Sequence, residues 1–417
     1  MAVARKVISI MVDGISADTF ALHRHRFPNI ARLATQGLEV GRLKSTVPAT
    51  SIPGRSTMPT GVGSEVHGVW GNHILRVGTF TVPGADDIMV PTIAHMAKQA
   101  GLDVAAIGAA MVRSEDADVF LPAWWVRDYV TGSRFMKQIP ADTQQAFFAV
   151  KDPEGRLARA GIEIADAYAM LNAPENHALL TGVVADAFMM KAVAALACSD
   201  MPPDLIMTEY NMVDTVEHYV GYDSPMALWT AEYGDMLVGK LLRELDAAGR
   251  LNEYVIVIAS DHGHGPVDKA IFPEAILGQS VWNSEGATLH VAVGSESECR
   301  EVAEKLAPFG VELSSSDHVP AEQRGGVATF VAPPRHYFDT WPTDDAAAPQ
   351  PVGPSKRMFS MHGFRPGAPE DDRMFIVSGA GIASEKIQSA DANHFAPTLA
   401  SILGLPTDKF PLPPLVL

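Results

Sequence analysis

The sequence predicts an α/β protein whose mostly parallel sheet is sandwiched between helices. Short β-branched runs alternate with stretches of helical period along most of the 417 residues. The clearest of these runs, YVIVIAS at 254–260, is typical of a buried strand. Hydrophobic residues make up 47% and charged residues 19% of the chain, which excludes a disordered chain, a collagen-like fibre and a coiled coil.

The predicted elements begin almost at the first residue. The apolar run at 7–12 is too short for a membrane span or for the apolar region of a signal peptide, so it predicts the first strand. Strands are predicted at 6–12, 104–108, 205–209, 254–260 and 374–378, and helices at 27–37, 91–100, 185–198, 226–248 and 394–403.

Two regions depart from this alternation. Residues 267–361 are predicted to form an inserted, smaller α+β cap lobe, with strands at 289–293 and 327–331 and a helix at 297–307. The lobe would divide the core into a first part, residues 1–266, and a last part, residues 362–417. Residues 112–182 are predicted to be an irregular insertion rich in aromatic side chains, and residues 349–354 a linker. The aromatic residues of that insertion include Phe120, Trp124, Trp125 and Phe135.

The chain is acidic, with 49 Asp and Glu against 32 Lys and Arg and a net charge of −17. Such a surface repels nucleic-acid backbone and anionic membrane, so we expect neither as a partner, whereas a small anionic substrate stays compatible where local cations offset the field. Cys198 and Cys299 form no C-x-x-C pair, which fits a reducing compartment. We expect a soluble, cytoplasmic protein unless a presequence has been removed, and the composition leaves a homo-oligomer open.

Asp and His residues gather where the predicted strands end, which is where open α/β sheets place their sites. Taken singly, each has an ordinary structural explanation, such as a turn for an Asp-Gly pair or a helix-face pair for an Asp and a His four residues apart. Carboxylate and imidazole are ligands that zinc and manganese accept together. The joint pattern therefore predicts two metal sites. The residues are Asp13, Asp214, His218, Asp261, His262 and His362.

The order of the motifs resembles the alkaline phosphatase superfamily and, within it, the type I phosphodiesterase and nucleotide pyrophosphatase branch, with phosphonoacetate hydrolase as a close relative. The motifs are V-D-G at 12–14, P-x-x-x-x-x-P-T-G at 53–61, H-G at 67–68, D-x-x-x-H at 214–218, S-D-H-G at 260–263, H-G at 362–363 and A-P-T-L-x-x-x-L-G-L-P at 396–406. The resemblance implies an alkaline-phosphatase-like core and two divalent ions, zinc first and manganese as the alternative. It implies one ion on Asp214, His218 and His362, and the other on Asp13, Asp261 and His262.

The resemblance also implies a nucleophile that is a metal ligand. In that branch a Thr lies two residues before a Pro and nine before the Thr of a T-G pair, and the same count from Thr60 reaches Ser51. This chain departs from the branch by carrying Ser there, and the neighbouring Thr50 is the alternative. Pro53 suits the first turn of a helix, so Ser51 is expected near a helix N-terminus, where free amides favour a phosphate. A plain N-cap serine is the ordinary explanation.

Asn72 and Arg55 are the predicted substrate-binding residues. Asn72 falls where the resemblance implies a catalytic Asn side chain that holds a non-bridging phosphoryl oxygen. A neutral amide favours diesters, which carry one less negative charge than monoesters. Arg55 would contest that preference if its guanidinium turned into the site. The roles of Thr50, His73 and His264 stay open at this point.

The expected function is a two-metal phosphohydrolase that cleaves small phosphodiesters or nucleotide pyrophosphate-type bonds through a covalent phosphoryl-serine intermediate. Three alternatives stay open: a phosphomonoesterase, a phosphonate hydrolase of the phosphonoacetate type, and a catalytically silent binding protein. A sulfatase-like enzyme is a further alternative, because residues 51–55 match the S-x-P-x-R spacing of some sulfatases. Three histidines among six ligands suit a transition metal better than the calcium of sulfatases.

Overall fold

The computed structural model describes residues 5–126, 150–163, 165, 178–341 and 349–415, so the predicted insertion residue Phe135 lies outside the described residues. In chain order the strands are β1 (Lys6–Val12), β2 (Leu38–Lys44), β3 (Ile74–Arg76), β4 (Thr79–Thr81), β5 (Val104–Ile107), β6 (Val119–Leu121), β7 (Leu205–Tyr210), β8 (Tyr254–Ala259), β9 (Gly265–Pro266), β10 (Lys269–Ile271), β11 (Trp282–Glu285), β12 (Thr288–Ala292), β13 (Glu312–Ser314), β14 (Val327–Val331), β15 (His336–Phe338), β16 (Val352–Pro354), β17 (Ser360–Met361), β18 (Arg373–Gly379), β19 (Glu385–Ile387) and β20 (Ala390–Asp391).

The α-helices within the same ranges are α1 (Ala17–Leu22), α2 (Pro28–Gln36), α3 (Ser51–Thr60), α4 (Ser64–His67), α5 (Ile93–Gln99), α6 (Arg156–Arg159), α7 (Ala178–Ala197), α8 (Met212–Val220), α9 (Pro225–Ala247), α10 (Pro273–Leu277), α11 (Glu296–Leu306) and α12 (Phe395–Leu403). Within the part of the chain that the structure describes, no helix is long and apolar enough to cross a membrane.

A nine-stranded sheet lies at the centre, in the order β19-β2-β18-β8-β1-β7-β5-β6, with β20 beside β2. Only β18 runs antiparallel to its neighbours in this sheet, so the predicted mostly parallel sheet is confirmed. In the register of the pairs, Val12 of β1 lies beside Tyr210 of β7, and Met11 lies beside Ala259 of β8. The chain segments that follow β1, β7 and β8 therefore leave the sheet side by side at the same edge.

Helices cover both faces of this sheet. Successive side chains of a strand point to opposite faces, and in β1 Ile8 and Ile10 pack with residues of α2, α7 and α9. Val7 and Met11 pack instead with residues of α3, α5 and α12. Both faces of the strand are thus buried, which explains why its sequence is apolar without alternation.

One strand of the central sheet was not predicted, and two local predictions were wrong. Strand β2 was not predicted, because Glu39, Arg42 and Lys44 interrupt its apolar run; Glu39 nevertheless lies buried and accepts hydrogen bonds from Arg24 and Lys386. Residues 349–354 are not a linker, since β16 pairs antiparallel with β10. The first part of the predicted irregular insertion contributes β6, which pairs parallel with β5 at the edge of the central sheet.

The region predicted as a cap lobe forms small sheets of its own. Strands β11, β12, β14 and β13 make one antiparallel sheet, and β15, β10 and β16 make another. Leu289, Val302 and Phe330 belong to an apolar core that is separate from those of the central sheet. Strand β9, which directly precedes the region, pairs antiparallel with β17 at the region's end, so the two ends of the region meet each other.

Candidate metal centre

Three neighbouring strands deliver carboxylates to one edge of the sheet. Asp13 follows β1 directly, Asp261 comes two residues after β8, and Asp214 lies in the first turn of α8, which follows β7. Gly14 has φ +85°, and a Cβ there would lie 2.8 Å from Glu217 Oε2 and 3.1 Å from the Asp214 Cα. Glycine therefore lets the chain turn next to α8 immediately after Asp13.

Helix α3 brings Ser51 to the same edge. Gly54 makes this approach feasible, because a Cβ at that position would clash with the carbonyl oxygen of Asp261. Ser51 is the first residue of α3, and its Oγ lies 3.1 Å from His262 Nε2. Thr50 is fully buried, and its hydroxyl lies near Glu285, where it opposes only in part the rise in the pKa of that carboxyl that burial causes. Of the two candidate nucleophiles, the Ser51 hydroxyl is therefore the one that contacts the histidine cluster.

The described residues contain two groups that could hold a metal ion, each with one ligand atom per residue within 4.8 Å of the others. One group consists of Asp13, Asp261 and His262, the set that the motifs implied for one ion. The other group consists of Asp214, His262, His264 and His362, so that His262 belongs to both. His218 lies beside the second group, with its Nε2 3.3 Å from Asp214 Oδ1. His264, whose role the sequence left open, lies inside it.

Hydrogen bonds determine which nitrogen carries the proton in two of these imidazoles. His218 Nδ1 donates to the Ser360 carbonyl oxygen at 3.1 Å, and His262 Nδ1 donates to the Gly263 carbonyl oxygen at 3.1 Å. A carbonyl oxygen can only accept, so the proton of each neutral ring is on Nδ1. In the neutral form of each ring the Nε2 atom is consequently an acceptor.

The imidazole Nε2 atoms surround a single carboxylate oxygen. They lie 2.8 Å (His264), 3.3 Å (His218), 3.8 Å (His262) and 3.9 Å (His362) from Asp214 Oδ1. Lone pairs that point toward a carboxylate repel it unless a proton or a cation lies among them. Nitrogen and oxygen donors together are the ligands of zinc and related divalent ions. The donor set of this group therefore fits a divalent metal.

Burial governs the charges of both groups. It lowers the pKa of His262 and of His362 well below the usual value, so both rings are neutral near pH 7. Burial also raises the pKa of Asp13 well above its usual value, although Arg55 opposes this shift. Burial would raise the pKa of Asp214 as well, but the neighbouring His218 and His264 hold it well below its usual value.

Arg55 is a buried cation behind the Asp13–Asp261 group. Its Nη2 donates to Asp13 Oδ2 at 2.7 Å, its Nη1 donates to Asp261 Oδ2, and its Nε donates to Glu209 Oε2 at 3.0 Å. The guanidinium carbon lies 4.8 Å from the ring centre of Trp125. Arg55 thus balances three buried carboxylates from within the protein.

The second oxygen of Asp13 stays available. Asp13 Oδ1 is buried without a hydrogen-bond partner among the described residues, and it lies 3.3 Å from His262 Nε2. A buried acceptor without a partner is costly unless something binds it. Arg55 engages the other oxygen of the same carboxylate, so this group also fits a cation on its His262 side. That Arg55 binds substrate remains a prediction.

Asn72 lies next to the first turn of α3. Its Oδ1 accepts the backbone N–H of Ile52, the residue after Ser51, at 2.8 Å, so the amide Nδ2 is left as the donor of this side chain. Glu285 of β11 holds this loop, since its Oε2 accepts Asn72 N–H at 2.7 Å and its Oε1 accepts His73 N–H at 3.1 Å. Burial raises the pKa of Glu285 to about 7. The region predicted as a cap lobe therefore reaches the predicted site through a buried carboxyl.

An apolar pocket of about 130 Å³ has Ile52 in its wall. Aromatic and aliphatic side chains make up much of its wall, and Trp125, which covers Arg55, is one of them. Its lining also includes Val82, Met111, Val112, Phe120 and Pro122. The pocket places an apolar surface next to the segment that carries Ser51.

A comparison with protein families identifies the chain. A family model described as type I phosphodiesterase / nucleotide pyrophosphatase matches residues 7–356, which is most of the chain. The chain belongs to this family. It is therefore a hydrolase of the class that acts on phosphodiester and pyrophosphate bonds, and its Asp/His cluster is consistent with metal binding.

Solved structures show the same fold as this phosphodiesterase family member. Murine ectonucleotide pyrophosphatase / phosphodiesterase 5 has a TM-score of 0.68 at 15% identity, over 98% of this chain and 97% of that chain. The human protein of the same name has a TM-score of 0.67 at 15% identity, over 96% of each chain. An inactive variant of the murine protein in complex with AMP has a TM-score of 0.68 at 15% identity, over 98% of this chain and 96% of that chain. A search of curated proteins gives no match.

The phosphodiesterase motifs lead to six Asp and His residues but not to His264. A signal for it exists in the sequence, because His262 and His264 in S-D-H-G-H-G are two residues apart. In an extended segment that spacing puts both side chains on the same side. Ser360 and Glu285, in contrast, show no motif, and their roles depend on contacts between distant parts of the chain.

Proposed function

We propose that this member of the family cleaves small phosphodiesters or nucleotide pyrophosphate-type bonds through a covalent phosphoryl intermediate on Ser51. The observation that carries the proposal is the distance of 3.1 Å between Ser51 Oγ and His262 Nε2, because His262 is the residue common to both candidate metal groups. A hydroxyl at that point lies where the two ligand sets meet.

Two divalent ions suit the donor sets, with zinc as the first choice and manganese as the alternative. Asp214 with its surrounding imidazoles would hold one ion, and Asp13, Asp261 and His262 would hold the other. When bound, such ions lower the pKa of hydroxyl groups and offset the charge of the phosphoryl oxygens.

Ser51 and Asn72 have different roles in the two steps of the reaction. Ser51 Oγ gives up its proton and attacks phosphorus, the bond from phosphorus to the leaving oxygen breaks, the leaving oxygen takes up a proton, and the phosphoryl group stays on Ser51. Water attacks the same phosphorus in a second step, and Ser51 leaves as its hydroxyl. Asn72 Nδ2 donates to a non-bridging oxygen of the phosphoryl group. This neutral donor favours a diester, because the charge of Arg55 is already balanced by Asp13, Asp261 and Glu209.

Two observations support a substrate with a flat apolar group. The pocket lined by Ile52, Phe120 and Trp125 lies next to the segment that carries Ser51. The murine relative is described in complex with AMP, whose base is such a group. We therefore propose a nucleotide-type group on one side of the scissile bond.

The proposal is tested by comparing three substrates on the full chain loaded with zinc or manganese. Bis-p-nitrophenyl phosphate, a diester, should be hydrolysed faster than p-nitrophenyl phosphate, a monoester, and faster than phosphonoacetate. A preference for the monoester or for phosphonoacetate would replace the diesterase by the corresponding alternative. No turnover of any of them, despite bound metal, would favour a silent binding protein.

Replacing Ser51 by Ala should abolish hydrolysis while the protein keeps its bound metal. We expect kcat to fall by a factor on the order of 10⁴ or more, as for other covalent nucleophiles, while elemental analysis finds the same metal content because the Asp and His residues remain. Thr50→Val is the matched control, since it removes only the buried neighbouring hydroxyl. Loss of activity in Thr50→Val but not in Ser51→Ala would transfer the nucleophile to Thr50.

A further inference from the structure

We propose that His264 is a direct metal ligand in the group around Asp214. The family motifs implied three other ligands for that ion, Asp214, His218 and His362, so His264 would add an imidazole to them. The inference rests on the proposed function to the extent that it assumes a divalent ion bound there.

Ser360 fixes the position of the proton on His264. The Ser360 hydroxyl donates to the carbonyl oxygen of Glu217 at 2.6 Å, and that oxygen can only accept, so the hydroxyl proton is used there. His264 Nδ1 lies 3.0 Å from the same Ser360 Oγ and must therefore act as the donor. The proton of the neutral ring is then on Nδ1, and Nε2 presents its lone pair.

That lone pair faces oxygen atoms of carboxylates. His264 Nε2 lies 2.8 Å from Asp214 Oδ1 and 3.7 Å from Glu217 Oε2, and the latter oxygen is buried without a hydrogen-bond partner among the described residues. Two acceptors at hydrogen-bond distance repel each other unless a cation or a proton joins them. Because the Ser360 contact holds the ring proton at Nδ1, a metal ion is the cation that this geometry suits.

The surroundings of His264 match those of metal-bound histidines in general. Such a histidine usually donates its other ring N–H to a protein oxygen, which fixes its orientation. Ser360 provides that oxygen to His264 through its hydroxyl, and to His218 through its carbonyl. One residue of β17 thus orients two imidazoles toward Asp214, and both rings lie with their centres 4.6 Å apart.

An imidazolium paired with Asp214 is the competing explanation, and it predicts the opposite effect on metal binding. His264 is 2% exposed and its ring centre lies 5.3 Å from that of His362, so a charge on it would act on any ion in the group. A ligand strengthens metal binding, whereas a neighbouring positive charge weakens it. Removal of the imidazole therefore distinguishes the two.

The test measures zinc affinity of the full chain by competition with a chromogenic chelator. His264→Asn keeps an N–H donor near the position of Nδ1 for Ser360 and removes Nε2. We expect one of two bound zinc ions to bind at least about 100-fold more weakly, the upper end of the effect of groups that only support a ligand. His218→Asn gives the value for a ligand that the motifs imply, and His25→Asn is the control, because His25 is exposed. The absorption bands of cobalt-loaded protein should also change in His264→Asn but not in His25→Asn.

Unchanged zinc affinity in folded His264→Asn would overturn the inference, and tighter binding would identify an imidazolium instead. Ser360→Ala keeps the imidazole but removes the hydroxyl, and it serves if His264→Asn does not fold. We expect it to weaken zinc binding about 10- to 100-fold, and an unchanged affinity would contradict the orienting role on which the inference depends. Wild-type protein that binds no divalent ion would overturn the proposed function together with this inference, whereas the variant results overturn the inference alone.

Discussion

The two candidate metal groups have one histidine in common but balance their charges in different ways. Around Asp214, a single carboxylate faces four imidazole nitrogens, and the neighbouring His218 and His264 hold its pKa well below the usual value. In the other group, Asp13 and Asp261 both accept hydrogen bonds from the buried guanidinium of Arg55. The carboxylate-rich group is thus partly neutralised by the protein itself, whereas the charge balance of the imidazole-rich group depends on the cation or proton that it binds.

The buried groups behind the two sites differ in kind, since one is a guanidinium and the other a carboxyl. Arg55 lies behind the carboxylates, and Asp186 lies behind the imidazole-rich group at the start of α8. The Asp186 carboxylate accepts the backbone N–H groups of Asn211 at 3.0 Å and Met212 at 2.9 Å, and the indole N–H of Trp124 at 2.7 Å. It thereby caps the helix that carries Asp214 and His218. Arg55 and Asp186 can be replaced separately, and the effects of the two replacements test whether the two metal groups differ in this way.

The largest effect is expected for Arg55→Met. In metal-free protein this change leaves Asp13, Asp261 and Glu209 buried without their cation, and we expect the free energy of unfolding to fall by about 3–5 kcal/mol. Added zinc should recover part of the loss, because a cation bound between Asp13 and Asp261 replaces some of the missing charge. Urea unfolding near pH 7, with and without zinc, measures both effects.

Arg300→Met is the matched control, since the Arg300 side chain is 67% exposed on α11. It should change the stability by no more than about 0.5 kcal/mol. A loss in Arg55→Met no larger than that of the control would mean that the carboxylates do not depend on Arg55, and the distinction between the two groups would not hold.

The second largest effect is expected for Asp186, whose titration should make the free energy of unfolding depend on pH. Burial raises the pKa of this carboxyl from its usual 3.8 to about 7. Between these values the folded protein holds a proton that the unfolded chain has released, so the contribution of Asp186 to stability falls as the pH rises toward 7. Relative to Asp186→Asn, which does not titrate, wild type should lose about 2 kcal/mol between about pH 5 and pH 7.

The measurement is the difference in free energy of unfolding between the two metal-free proteins across that range. Asp246→Asn, at an exposed position near the end of α9, is the control and should show no comparable change. A difference that stays constant with pH would mean that Asp186 is ionised in the folded protein, as an ordinary helix-capping carboxylate would be.

The sequence predicted the central sheet well because its buried strands are apolar on both faces. Strands β1 and β8 were predicted almost to the residue for that reason. Strand β2 was missed because its stability depends on partners elsewhere, such as the contacts of Glu39 with Arg24 and Lys386, which local composition does not reveal. The hydrophobic pattern identifies strands that are buried on both faces of the central sheet. It does not identify a strand whose polar side chains find their partners only in the folded protein.

The candidate site was predictable to the same extent and for a related reason. Asp13, Asp261 and His262 follow strands that are easy to recognise, and parallel strands end at one edge. The ion pairs of Arg55 and the hydrogen bonds of Ser360 could not be predicted, because they join residues more than forty positions apart, such as Arg55 with Asp13 and Ser360 with Glu217. A sequence motif identifies the candidate metal ligands. The residues that balance their charge or orient their side chains become visible only from tertiary contacts.

The smallest effect is expected for Trp125, which contacts Arg55, the cation of the carboxylate-rich group. Its ring centre lies 4.8 Å from the Arg55 guanidinium carbon, and its indole N–H donates to Glu209 Oε2 at 3.2 Å. Trp125→Phe keeps an aromatic face and loses the N–H, so we expect a loss of about 1 kcal/mol in the free energy of unfolding. Trp125→Leu loses both contacts, and we expect about 2 kcal/mol.

A double-mutant cycle decides whether these losses pass through Arg55. If the Trp125 ring acts on the guanidinium, Trp125→Leu should cost about 1 kcal/mol less in the Arg55→Met background than in wild type, because the cation it contacts is gone. Additive losses would mean that Trp125 serves only as a wall of the apolar pocket, and its replacement would then appear in KM for a nucleotide-type diester rather than in stability. The difference between Phe and Leu at this position thus separates a residue that supports the metal group from one that contacts the substrate.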